Sequence, residues 1–60
     1  MNLEELKSEV SKKLVTEYDM LIDEAEDKVN ESYGDRPDLW DENADAKDLA
    51  KFLASDDDDE

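Results

Sequence analysis

Cysteine and histidine are both absent from the 60 residues. Disulfide staples, thiolate or imidazole metal sites and nucleophilic triads with a His base are therefore excluded. Glycine and proline occur once each, at Gly34 and Pro37. No apolar run approaches the roughly 18 residues a membrane span needs. The opening residues, Met1-Asn2-Leu3-Glu4-Glu5, have neither the basic nor the apolar region of a secretory signal. The expected setting is the cytoplasm, with no membrane contact.

Cations are the next scarcity. Seven Lys and Arg oppose 21 Asp and Glu, for a formal net charge of −14. The imbalance is not evenly spread. Glu4, Glu5 and Glu9 are cancelled by Lys7, Lys12 and Lys13, so the whole of it lies after Thr16. Such asymmetry bears on partners rather than on fold.

What the chain does have is helical periodicity. From Leu3 to Tyr33 there is no Gly or Pro, and apolar residues recur at Leu3, Leu6, Val10, Leu14, Tyr18, Leu21, Ala25, Val29 and Tyr33. Steps of three and four residues match an α-helix and exclude strand alternation. Asn2 is placed as its N-cap, with Glu5 at the third helical position as in a capping box, and Glu9 can pair with Lys13. Gly34 is placed to end it with a positive φ, and Pro37 to start a single turn in the connection.

The pattern predicts an all-α helical hairpin: a long helix over about 3–33, a connection over 34–42, and a short helix over about 43–54 capped by Asn43. In the short helix Ala46, Leu49, Ala50, Phe52 and Leu53 face inward, with Lys47 and Lys51 outside. Residues 55–60 read as a disordered acidic tail. In the connection, Leu39 and Trp40 either fold over the helix pair or expose an aromatic anchor. A chain this short buries only about 60% of its unfolded surface. A second helix of roughly 18 Å also cannot cover a first of roughly 45 Å. The N-terminal apolar face, Leu3, Leu6, Val10 and Leu14, is then left for a homodimer or a partner, the hairpins pairing into a small dimeric bundle.

Catalytic, cofactor and metal sites are not expected. Asp41-x-Asn43-x-Asp45 matches the start of a calcium loop, but Ala46 stands where that loop needs Gly and Phe52 where it needs the bidentate Glu. Chemistry is left to the charge itself. On an unbroken helix Glu17, Asp19, Asp23, Glu24, Glu26, Asp27 and Glu31 fill the arc opposite the apolar stripe, with carboxylates about 6 Å apart from turn to turn. A duplex also presents regular rows of negative charge. In size and charge the chain resembles the small acidic helical proteins that mimic DNA, a class often encoded by viruses against host nucleases, polymerases or nucleoid proteins; no motif carries the resemblance.

The expected function is a binding protein that occupies a basic surface of a nucleic-acid-handling partner as a DNA-mimic inhibitor, without contacting nucleic acid directly. The competing reading is an adaptor, antitoxin-like inhibitor or assembly subunit docking by its apolar stripe. A charged arc is also commonly just a solvated face, and general acidity is what a high-salt cytoplasm selects.

Overall fold

The computed structural model describes residues 2–58, with side chains through residue 55. Among them it contains three α-helices, one 3-10 turn and no strand. Helix α1 is Leu3–Glu17, α2 is Ile22–Asp35 and α3 is Ala46–Asp58, with the 3-10 turn at Pro37–Leu39 joining the last two. The all-helical class is as expected; the long first helix of a hairpin is not.

Helix α1 starts where its cap dictates. Asn2 holds extended backbone, and its Oδ1 accepts the Glu5 N–H at 2.8 Å. Glu4 and Glu5 occupy the first turn, where the helix dipole favours negative charge. Lys13 reaches forward to Glu17, at 3.7 Å, rather than back to Glu9.

The helix then stops well short of Tyr33. Tyr18 is its C-cap, and Asp19 takes a left-handed φ of 56°. The Leu14 carbonyl accepts from both the Tyr18 and Met20 N–H groups, at 3.2 and 3.1 Å. Leu21 caps α2 by backbone conformation alone, and Asp23 and Glu24 supply first-turn negative charge. The break has a plain energetic reason. A straight rod of about 45 Å would leave much of the α1 stripe in water, and burying each of Leu6, Val10 and Leu14 is worth roughly 1.5–3 kcal/mol. One residue in the left-handed region costs only about 1–2 kcal/mol, with Asp among the residues that visit it most readily. The longest dimension is accordingly 28 Å.

The turn folds one half of the stripe onto the other. Leu6, Val10 and Leu14 from α1, Ala25 and Val29 from α2, and Ala46, Leu49, Ala50 and Leu53 from α3 form one buried core with Trp40. Leu3 packs against its edge. The face expected to need a second copy is thus covered within the chain. Tyr18 and Leu21, read as the middle of the stripe, lie at the turn and are exposed, as is the neighbouring Ile22.

Other boundaries also differ from expectation. Gly34 lies inside α2 without a positive φ. The helix ends because Arg36 precedes a proline, which drives it out of helical space to φ −130° and ψ 68°, and because Pro37 has no N–H to donate. Trp40 resolves to the closing role: it is buried, and its Nε1–H donates to Ser32 Oγ at 3.2 Å. Asp45, not Asn43, caps α3, its Oδ1 accepting the Lys47 N–H at 3.1 Å. Asn43 instead gives its own N–H to Asp41 Oδ1, at 2.9 Å. Phe52, expected inside, is 46% exposed.

Residues 55–58, expected as disordered tail, continue α3. Once the packed turns exist, each added residue gains a backbone bond for the ordering of that residue alone, without the cost of a new nucleus, even with acids at the negative end of the dipole. The rest of that tail, 59–60, lies outside the described residues.

Two substitutions test these boundaries. A Cβ on Gly34 meets nothing within 4 Å, so Gly34→Ala is expected to stabilise by about 0.5–1 kcal/mol in urea unfolding, where a left-handed C′ glycine would lose stability. Asp19→Ala is expected to destabilise by about 1 kcal/mol, because alanine loses the left-handed preference. In an unbroken helix the same change would stabilise.

Candidate functional site

Breaking the long helix divides the expected acidic arc. Glu17 remains on α1, paired with Lys13. Asp19 is occupied by the left-handed turn. Only Asp23, Glu24, Glu26, Asp27 and Glu31 share α2, and all five are exposed.

Within α2 they separate again. Ala25 and Val29 fix the buried side, with Ser32 and Tyr33 half-buried beside them. At 100° per residue, Asp23, Asp27 and Glu31 climb the opposite side in four-residue steps, about 6 Å of rise apiece, with Glu24 alongside. Glu26 points elsewhere. It borders a groove between α1 and α2 together with Lys7 and Lys12.

Asp35 continues the ladder by one rung, and sequence reasoning left it out. The signal was the unbroken spacing 23, 27, 31, 35; Gly34, taken as the end of the helix, concealed it. Among the described residues, none of Asp23, Glu24, Asp27, Glu31 and Asp35 forms an ion pair; the pairs seen are Lys13–Glu17 and, at 3.9 Å, Arg36–Asp38. The rungs at Glu31 and Asp35 border a depression of about 440 Å³ between α2 and α3, whose wall also includes Lys28, Arg36 and Phe52.

The ladder rests on a rigid base. Val29 and Trp40 hold α2 to the core, and Lys7 Nζ lies 3.9 Å from the centroid of the Tyr33 ring, tying the start of α1 to the last turns of α2. Such a cation–π contact is worth about 0.5–1 kcal/mol near the surface.

The apolar residues expected to meet a partner are placed differently. Leu6, Val10, Leu14 and Trp40 are buried in the core and Leu3 is half-buried. The carboxylates of Asp41 and Asp45 are engaged with backbone N–H groups. No helix among the described residues is long and apolar enough to cross a membrane.

The ladder works against the fold that carries it. Asp23–Asp27, Asp27–Glu31 and Glu31–Asp35 are like-charged neighbours, each costing a few tenths of a kcal/mol. Asp35 also sits at the negative end of the α2 dipole. Replacing Glu31 with Gln and Asp35 with Asn should therefore raise stability by about 0.5–1 kcal/mol at low ionic strength, and less in high salt. Thermal unfolding at two salt concentrations checks this. In comparison with known proteins, no family model, no curated protein and no solved structure matches this chain.

Proposed function

We propose that this chain is a small acidic binding protein that occupies a basic, nucleic-acid-binding surface of a partner in place of the phosphate backbone. The observation that carries the reading is the exposed ladder Asp23, Asp27, Glu31 and Asp35, with no ion pair among the described residues and a core behind it that fixes its spacing. Ordered charge is what a Lys and Arg groove is built to accept. The depression beside Glu31 and Asp35 is also bordered by Lys28 and Arg36, so its two carboxylates are offset there by the chain's own cations and the ladder's attraction for a basic groove rests on its outward rungs.

The alternative, an adaptor or antitoxin-like inhibitor docking by the N-terminal apolar stripe, has less support because Leu6, Val10 and Leu14 already fill the core. Inhibition follows from occupancy. A groove filled by α2 is closed to nucleic acid, and on this reading the protein acts in the compartment where its partner works.

The test starts from immobilised protein in low salt, with basic proteins eluted by a salt gradient and then titrated in solution. Binding should weaken by about tenfold or more between 50 and 200 mM salt, as charge-driven association does. Neutralising Asp23, Asp27, Glu31 and Asp35 together should weaken it by about two orders of magnitude or more while circular dichroism stays helical. Duplex DNA should compete. A partner that binds DNA and this protein at once would overturn the reading.

A further inference from the structure

The opposite edge of α2 has a different character from the ladder. Between α1 and α2 runs a groove of about 450 Å³, with Val15 and Ile22 at one end and Ser11 along its wall. Ser11 is buried, and its Oγ has no hydrogen-bond partner. A polar atom left so costs about 1–3 kcal/mol, which marks this seam as the imperfectly closed side of the core. At its open end the turn presents Tyr18, Leu21 and Ile22 at 41, 73 and 52% exposure. Of the three, Ile22 lines the groove itself, while Tyr18 and Leu21 lie in the same turn beside it.

The rims carry opposite charge. Lys7 and Lys12 stand on the α1 side and Glu26 on the α2 side. In a chain of net charge −14, this is a face without negative excess. A basic partner finds no attraction here.

We infer that this groove is the contact face for a second copy of the chain, related by a two-fold axis running along it. A rotation about that axis lays the α1 rim of one copy over the α2 rim of the other. Lys12 of each then meets Glu26 of the other, and Ile22 of each covers the open end of the facing groove. The interface is isologous and closes at two copies. Its core is a four-helix arrangement of two α1 and two α2, while both acidic ladders remain outside. Pairing thus differs from the one expected from the sequence, which used the now buried stripe. It does not depend on the identity of any basic partner, but it presents two ladders per particle and so raises avidity for a partner with repeated sites.

Sedimentation velocity across micromolar to millimolar protein tests the pairing. The expected result is a monomer–dimer equilibrium that tightens between about 0.05 and 0.5 M salt, because the summed repulsion of two −14 chains is long-ranged and screened. Ile22→Glu should give monomers with unchanged helical circular dichroism, since that side chain lies outside the core. Lys12→Glu and Glu26→Lys should each weaken the dimer about tenfold or more, and the double exchange should restore it. Glu26→Lys is the sharper arm: it lowers the net negative charge, so a dimer limited by overall repulsion alone would tighten. A chain monomeric at millimolar concentration in high salt overturns the proposal. A dimer indifferent to Ile22→Glu, or broken by it but untouched by the charge exchanges, overturns it equally.

Discussion

Covering Leu6, Val10 and Leu14 is the constraint on which the rest of this molecule depends. They are the largest fully buried side chains, and they lie on consecutive turns of one helix. A helix alone cannot hide its own stripe, so the chain has to return to it from both flanks. It returns first as α2 after the turn at Asp19, then as α3 after the excursion through Pro37 and Trp40. The left-handed residue, the proline stop and the tryptophan lid are separate local devices with one common effect: each redirects the backbone toward that stripe.

Charge is distributed by the same constraint. Once apolar surface is gathered inside, α2 has one side committed to the core and two edges left over, and these edges are unlike. The outer one bears like charges four residues apart, an arrangement that the fold tolerates rather than needs, since each neighbouring pair repels. The inner one carries Ile22 and one glutamate, Glu26, and faces Lys7 and Lys12 of α1 across the groove. A helix whose faces differ this much can meet chemically different surfaces at once without competition between them. That is a more specific property than acidity, which by itself would describe any well-solvated chain.

Helix content, the Asn2 cap, the turn at Pro37 and the buried side of α3 through Ala46, Leu49, Ala50 and Leu53 were all legible in the sequence, because each rests on near neighbours: spacing, caps and the missing proline N–H. The interruption at residues 18–21 was not. Tyr18 and Leu21 sit at positions that keep the apolar steps at four, three and four residues, so two helices in phase read as one. Asp19 does there what a glycine is usually expected to do, and nothing in its one-letter neighbourhood announces it. Gly34, conversely, looked like a terminator and is an ordinary helical residue. The acidic face followed the same fate. Its existence was plain from composition, but its membership changed once the rod became two helices, which removed Glu17 and Asp19, turned Glu26 toward α1 and admitted Asp35.

The sequence by itself determined that this protein is helical, that its negative charge is concentrated after Thr16 and that His- and Cys-based chemistry is closed to it, since these follow from residue types and from interactions within a turn or two. Only the tertiary structure decided where the long apolar stripe bends back on itself, which carboxylates share a surface and which apolar side chains remain outside. The reason is that burying the α1 stripe outweighs the strain of one residue at Asp19, and that balance exists only between segments far apart in the chain.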